Sequence, residues 1–187
     1  MCAVKSTKQK IIDLADELIR TRGYNAFSYA DIAAQLHIKN AAIHYHFPIK
    51  ADLGISVLEH EMAAMRAAWQ QWAALPEDEQ LQKFMHTFGI KSKEAKICLM
   101  GSLTPDYITF TAAMQEKVEQ MCAEIIQWLT QVLQRGREKK RVMYEGRPYD
   151  RALLVIASLQ SSLLLSRVMG AQAFGQISQQ LLQDLRP

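Results

Sequence analysis

The chain has 187 residues, is 49% hydrophobic and 22% charged, and carries a formal net charge of +3 at pH 7. This composition is typical of a soluble globular protein with one sizeable core, or with a small domain fused to a larger one. The low net charge excludes a strongly basic chromatin-coating protein, so any nucleic-acid binding must come from locally placed side chains.

Three short helices are predicted at the N-terminus. Residues 4–22 place their apolar side chains at helical period. Ser28, with Asp31 three residues later, resembles a capping box and predicts that the second helix starts there. A third helix is predicted over residues 40–46, and it ends because Pro48 pushes the residue before it out of the α region.

The third predicted helix exposes polar and aromatic side chains. These side chains are Lys39, Asn40, His44, Tyr45 and His46. A small helix of this kind, braced by an apolar neighbour, is how a helix-turn-helix protein enters the major groove of DNA. The alternative is an ordinary helical corner, and the His-Phe-x-x-Lys-x-x-Leu continuation over residues 46–53 favours the DNA-binding interpretation.

Further helices and one irregular segment are predicted beyond this point. Lys50 opens a long helix through about Ala74, and Pro76 precedes the acidic first turn of the next helix. Residues 89–105 are predicted to be irregular, with a solvated connection followed by a buried apolar run. Three more helices are predicted over residues 111–139, 149–169 and 172–185, which gives an all-α fold of about nine helices.

The spacing of residues in the N-terminal quarter resembles that of the TetR family of transcriptional regulators. The resemblance is carried by Gly23, Phe27, Ser28, Ile32-Ala33, Ile38, Ala41, Ile43, His46-Phe47, Lys50 and Leu53. It implies a three-helix DNA-binding domain over residues 1–49, followed by an all-helical ligand-binding and dimerisation domain over residues 50–187.

The same resemblance implies a set of DNA-contacting residues. Ser28 would cap the second helix and touch phosphate, as Lys50 would, whereas Lys39, Asn40 and Ala41 would approach base edges. Tyr45 and His46 would lie along the DNA backbone. The full implied set is Ser28, Tyr29, Lys39, Asn40, Ala41, His44, Tyr45, His46 and Lys50. Lys and Asn can donate hydrogen bonds to base edges, and helix N-termini offer amides to phosphates.

Three positions depart from the family pattern. His37 stands in the turn where glycine is usual, Lys39 replaces a capping Ser or Thr, and His44 replaces a tyrosine. These departures concern the DNA sequence that is bound more than the mode of binding. His37, His44 and His46 could make affinity sensitive to pH near neutrality, or could simply be neutral hydrogen-bonding groups.

Methionine and aromatic side chains of the second domain could line a cavity for an apolar effector, or could be plain core. The candidate ligand-binding residues are Trp69, Phe84, Phe88, Cys98, Met100, Tyr107, Met114, Met121 and Trp128. Cys98, with Lys93 and Lys96 nearby in sequence, is either a reactive thiol that senses electrophiles or a buried small hydrophobe.

The last two predicted helices are apolar on more than one face and therefore need a partner on both sides. Packing against the same pair in a second chain would form a two-fold four-helix bundle. The candidate dimer-interface residues are Leu153, Ala157, Leu164, Val168, Phe174, Ile177 and Leu181.

Other chemistries have little support in the sequence. Cys2, Cys98 and Cys122 have no CxxC spacing, which predicts reduced thiols and neither disulfides nor a zinc site. No Gly-rich phosphate loop or local Ser/His/Asp set occurs, and we expect no enzyme activity, cofactor or metal. No apolar run approaches the roughly 20 residues of a membrane span, so a cytoplasmic protein without a membrane partner is expected.

The sequence therefore predicts a homodimeric repressor that binds a palindromic DNA operator and is released by a small apolar or electrophilic effector. Two alternatives remain open at this point. One is a protein-interaction adaptor of the same fold with weak DNA specificity, and the other is an apolar-ligand carrier or enzyme without DNA function.

Overall fold

The computed structural model describes residues 5–186, and its secondary structure is helical. The helices are α1 (Thr7–Arg22), α2 (Tyr29–Leu36), α3 (Asn40–His46), α4 (Lys50–Trp72), α5 (Glu77–Lys93), α6 (Leu99–Leu103), α7 (Ala112–Glu138), α8 (Pro148–Met169) and α9 (Gln172–Gln183). Two 3-10 segments, Tyr24–Ala26 and Thr104–Thr109, complete the regular structure, and these described residues form no strand. The predicted all-α fold is confirmed. Cys2, one of the three predicted reduced thiols, lies outside the described residues.

Local signals in the sequence account for several helix ends. The Ser6 hydroxyl accepts a hydrogen bond from the Gln9 amide at the start of α1, and Gly23 ends that helix with φ of 100°. Ser28 and Asp31 form the predicted capping box at the start of α2. Pro148 occupies the first turn of α8, where its missing N–H costs nothing.

The segment predicted to be irregular is shorter than expected. Helix α5 continues through residues 89–93, and it ends with Lys91 and Lys93 in its last turn. Gly89 does not break the helix, since a single glycine in a helix costs only about 1 kcal/mol relative to alanine. The Phe174 ring packs against it, and a Cβ there would lie 3.3 Å from the ring. The apolar run after Lys96 is buried, as predicted.

The chain divides into two compact units. The first unit contains the described residues up to Ala64 together with Leu99–Met121, and the second contains Met65–Cys98 and the chain from Cys122 onward. The first core holds Ile11, Ile19, Ile32, Ile43, Phe47, Leu53, Leu58, Leu103 and Met114, and the second holds Leu81, Met85, Leu129, Val132, Leu133, Val155 and Leu159. The domain boundary expected between residues 49 and 50 stays a prediction.

Helix α8 has 22 residues and, by length and composition alone, is apolar enough to cross a membrane. Core helices of soluble proteins pass the same test. The interruption by Gln160, Ser161 and Ser162 made the apolar stretch look shorter than the helix that contains it.

Candidate nucleic-acid interface

The turn between α2 and α3 is a Schellman motif centred on His37. The His37 amide donates to the Ala34 carbonyl at 3.4 Å, and the Ile38 amide donates to the Ala33 carbonyl at 3.0 Å. His37 takes the left-handed conformation that this motif requires, with φ of 54° and ψ of 44°. The turn thus retains the geometry that glycine would serve, and it stores backbone strain at a residue with a side chain.

Two buried apolar side chains anchor helix α3, and most of its other side chains are exposed. Ile43 and Phe47 are almost completely buried in the first unit. The predicted base-contacting residues are exposed; they are Lys39, Asn40 and Ala41. Tyr45 is 83% exposed, an unusual position for an aromatic ring in a free protein. Lys39 is the N-cap without a side-chain cap hydrogen bond, so the first amides of α3 are open to an acceptor.

Tyr29 and His44 brace α2 against the C-terminal end of α3. The Tyr29 hydroxyl donates to the Phe47 carbonyl at 2.9 Å, and its ring meets the His44 ring edge-on at 4.8 Å. His44 Nδ1 lies 3.4 Å from the Pro48 carbonyl oxygen. Burial, with a smaller effect from Asp52, raises the pKa of Tyr29 to about 12, so its hydroxyl remains a donor at neutral pH.

Ser28 and His46 lie at the edges of this surface. The Ser28 hydroxyl donates to the Asp31 carboxylate at 2.6 Å and remains exposed, so the cap is formed and a phosphate could still approach it. This bond and the one from the Ser28 backbone amide, at 2.7 Å, hold the pKa of Asp31 below its usual value. His46 is half-buried between the Tyr45 ring at 5.1 Å and the Phe47 ring at 6.3 Å.

Lys50 has partners that the sequence did not suggest. Its ammonium donates to the Tyr24 carbonyl at 2.6 Å and also to the Phe27 carbonyl. It lies 4.7 Å from the Tyr24 ring centroid and 4.0 Å from that of Phe27. Burial lowers the pKa of Lys50, against the opposing charges of Asp106 and Asp31. The ammonium therefore ties α4 to the segment before α2, and the phosphate contact that the family resemblance implies for Lys50 stays a prediction.

The candidate ligand residues fall into two groups. Trp69, Phe84, Phe88 and Trp128 form one aromatic cluster of the second unit, in which the Trp69 and Trp128 rings stack at 5.1 Å. Cys98 belongs to this unit and is buried. The first unit contains the other four candidates, Met100, Tyr107, Met114 and Met121. The three methionines are buried, and the Tyr107 hydroxyl donates to Glu119. Lys96, a candidate activator of Cys98, pairs with Glu94 at 3.0 Å.

A cleft of about 360 Å³ beside the aromatic cluster includes residues that the sequence analysis missed. Trp69 and Trp128 line it together with Arg66, Gln70, Ala73, Gln80 and Arg135. The α4 members follow the spacing i, i+3, i+4, i+7 from Arg66, and Arg135 lies seven residues after Trp128. This helical spacing could have revealed them, because it places each set on one face.

The candidate dimer residues differ in exposure. Leu153, Ala157 and Leu164 are exposed on α8, and Val168 is 88% exposed. Ile177 and Leu181 are half-buried, whereas Phe174 is only 8% exposed because it packs against Gly89. Phe174 thus makes its contact within one protomer.

Comparisons with known proteins agree on one family. A family model described as "Bacterial regulatory proteins, tetR family" matches residues 11–57. The crystal structure of a TetR transcriptional regulator from Legionella pneumophila is 30% identical, covers 98% of this chain and 100% of that one, and superposes with a TM-score of 0.88. A TetR-family regulator from Agrobacterium tumefaciens is 28% identical, with coverage of 96% and 97% and a TM-score of 0.89. The HTH-type transcriptional repressor NemR of Escherichia coli is 20% identical over 157 residues, which are 81% of this chain and 79% of NemR.

Proposed function

The chain belongs to the TetR family of transcriptional regulators, and on this premise we propose that it is a repressor that binds a palindromic operator as a homodimer. A small apolar or electrophilic effector releases it from DNA. The observation that carries the proposal is α3: a short helix, held by a Schellman turn and two buried side chains, that exposes polar and aromatic groups. Such a helix gains little from its own core contacts and is suited to a groove.

The side chains of α3 have distinct roles in the proposal. Lys39 and Asn40 donate to base edges, and the small Ala41 allows close approach to the groove. Ser28, at the capped start of α2, meets phosphate. His44, Tyr45 and His46 lie along the DNA backbone, and Tyr29 positions His44. Lys50 supports the arrangement from behind through its two carbonyl contacts.

The apolar face of α8 supports the homodimer. Leu153, Leu164 and Val168 are exposed along it, and Ala157 leaves room for a close helix crossing. Ile177 and Leu181 of α9 extend the surface, and Phe174 is left out because it is buried in its own protomer. A dimer formed through this face would carry two copies of α3, and a palindromic site offers them half-sites in successive major grooves, about 34–36 Å apart.

Effector control follows from population shift. A ligand that binds better when the two α3 helices are misplaced for DNA lowers the fraction of DNA-competent dimers. Helix α4 contains both Lys50 and Trp69, and we propose that it carries this coupling. TetR-family regulators are soluble DNA-binding proteins and are generally non-enzymatic, which supports a cytoplasmic location and no catalytic role. The repressor NemR supports repression over activation.

Selection of bound DNA from a random pool tests the proposal. We expect enrichment of a palindrome, and light scattering at micromolar concentration should give the mass of a dimer. The Lys39→Ala protein should fail to enrich the same sequence while remaining folded by circular dichroism. Binding without sequence preference, or tight retention of other proteins with no DNA bound, would instead support an interaction adaptor of the same fold.

A further inference from the structure

All three tryptophans of the chain meet in one cluster. The Trp69 and Trp128 rings are stacked, with centroids 5.1 Å apart and an interplanar angle of 8°. Trp72 meets the Trp128 ring edge-on at 6.1 Å, and Phe84 lies 5.3 Å from it. The two stacked indoles are half-buried, so part of their surface remains uncovered within the second unit. Such a surface is suited to a flat apolar partner.

The indoles of Trp69 and Trp128 form one wall of the 360 Å³ cleft, and two arginines also line the cleft. Arg66 and Arg135 line the cleft with Trp69 and Trp128, and Gln70 and Gln80 contribute amide groups. The volume lies within the range of small-molecule sites. Guanidinium groups repel a cationic ligand, so the tryptophans here do not form a cage for a quaternary ammonium.

The charges around the cleft do not balance. Arg66 is matched by Glu124, with two hydrogen bonds of 2.8 and 2.5 Å. Arg135 approaches the Glu77 carboxylate only to 3.8 Å, whereas Lys139 holds the same carboxylate oxygen at 2.6 Å. Two cations therefore share one carboxylate, and one positive charge remains in excess on the Arg135 side. An arginine in this situation can bind a carboxylate with paired N–H donors.

We propose that this cleft binds a planar aromatic monocarboxylate, with its ring on the Trp69 and Trp128 surface and its carboxylate on Arg135. Stacking gives affinity, and the Arg135 guanidinium, which shares its one carboxylate with Lys139, selects the anion over a neutral analogue. The binding depends on no other proposal. Its role as the effector that releases DNA rests on the proposed function, and it narrows the apolar ligand expected there to an amphipathic aromatic acid.

The first experiment compares naphthalene carboxylate with its primary amide, which has nearly the same shape without the charge. Titration calorimetry of the parent protein should show that the acid binds about tenfold more tightly, the equivalent of about 1.4 kcal/mol. The acid should also quench the intrinsic tryptophan fluorescence, since every tryptophan of the chain lies in the cluster. Equal affinity for acid and amide, absence of binding, or binding without quenching would overturn the proposal.

Two variants locate the site. Arg135→Gln should weaken the acid about tenfold and leave the amide unchanged, so that the two ligands become equal. Arg137→Gln is the matched control: it removes the same charge two residues later, where the guanidinium donates to the Gly146 carbonyl and lies over the Tyr144 ring. The control should bind both ligands as the parent does. An Arg135→Gln protein that still prefers the acid contradicts the assignment.

DNA binding separates the two proposals. Once an operator is selected, the acid should release the parent protein from it and the amide should do so only at about tenfold higher concentration. Tight binding of the acid with no release of DNA leaves the cleft assigned and refutes its role as effector site. Failure to find any operator refutes the proposed function, while the calorimetry still decides whether the cleft takes the acid.

Discussion

Lys50 carries a positive charge into a half-buried position, where its ammonium meets the carbonyl oxygens of Tyr24 and Phe27. These contacts hold the segment between α1 and α2 against the start of α4. Glu77 has a similar position in the second unit, where a residue that is only 3% exposed accepts a hydrogen bond from Lys139 and lies 3.8 Å from the Arg135 guanidinium. Both residues stabilise the fold through partners that lie far away in the sequence.

The substitution Lys50→Ala separates support from DNA contact. We expect the free energy of unfolding to fall by about 1–3 kcal/mol, because two carbonyl groups lose a charged donor. The salt dependence of DNA binding should change little, whereas Lys39→Ala should reduce the log–log slope by about 0.9. Denaturant unfolding and salt titrations of operator binding measure both effects. A reduction of the slope by Lys50→Ala equal to that of Lys39→Ala would restore the phosphate contact implied by the family resemblance.

Glu77 makes stability depend on acid pH. Burial raises the pKa of Glu77. The hydrogen bond from Lys139, the hydrogen bond from the backbone amide of Glu77 and the charge of Arg135 together lower it by more, so the pKa lies below its usual value. A depressed carboxylate pKa stabilises the folded state above the unfolded-state pKa of about 4.3, and this contribution is lost as pH falls from that value through the lower folded-state pKa. The parent should therefore lose stability between about pH 5 and 3 more steeply than Glu77→Gln.

At neutral pH, Glu77→Gln should be less stable than the parent by about 1–3 kcal/mol, because a charge-assisted hydrogen bond is lost. Thermal unfolding followed by circular dichroism across this pH range measures both differences. Glu79→Gln, at an exposed position two residues later, is the matched control and should follow the parent curve. Parallel curves for the parent and Glu77→Gln would contradict the prediction.

Helix α3 illustrates how an element can trade its own stability for binding. Its N-cap is Lys39, which makes no side-chain cap hydrogen bond, and its preceding turn holds His37 in the left-handed region. A capping Ser or Thr and a glycine would each suit these positions better. The element therefore leaves its first amides open and carries a positive charge where DNA would approach.

The substitution Lys39→Ser should expose this trade. The new hydroxyl can cap α3 and raise the free energy of unfolding by about 0.5–1 kcal/mol. Operator affinity should fall, and the log–log salt slope should decrease by about 0.9, because one cation is removed. Lys39→Ala is the control, with the same loss of affinity and slope but no gain in thermal stability. Equal melting temperatures for the Ser and Ala proteins would show that a hydroxyl cap at position 39 does not stabilise the protein.

The turn gives a second prediction at this scale. His37→Gly should raise stability by about 0.5–1 kcal/mol, since relief of left-handed strain exceeds the entropy that glycine adds to the unfolded chain. His37→Ala keeps the strain and should give no such gain. Denaturant unfolding of the three proteins under one buffer condition measures the difference, and a destabilised His37→Gly protein would mean that the imidazole itself contributes to the turn.

At the scale of the whole molecule, the apolar face of α8 is exposed to water, which favours its burial against a partner. Its side chains are exposed although the helix is apolar enough to satisfy the composition of a membrane span. A second copy of the chain removes this surface from water and also supplies the second α3 that a palindrome requires. Dimer formation and DNA binding are therefore expected to fail together.

The substitution Val168→Glu tests this link. Val168 is 88% exposed, so a glutamate there should leave the protomer folded, while a charge inside a two-fold apolar interface should favour monomers. Light scattering should give the mass of a monomer, and operator binding should weaken by at least about tenfold. Ile108→Glu is the matched control, since Ile108 is 87% exposed and lies outside α8. A dimeric Val168→Glu protein with parental operator affinity would falsify this arrangement.

The sequence predicted those features whose cause is local. The Ser28–Asp31 capping box, the helix ends at Gly23 and before Pro48, and the period of apolar residues all act within one or two helical turns. Such signals can be recognised without knowledge of the fold, because the atoms concerned are brought together by the backbone geometry of a single helix. The all-α class and the exposed character of α3 follow from them.

Tertiary structure decided the partners of individual side chains. The Phe174 ring packs against Gly89 inside α5, and this contact buries Phe174 within its own protomer. Lys50 contacts Tyr24 and Phe27, which lie in a distant segment of the chain. The cleft likewise brings Arg66 and Arg135 together with the stacked tryptophans from separate helices. Periodicity states which face of a helix is apolar, but only packing determines what that face meets, because burial and charge pairing depend on residues from other helices.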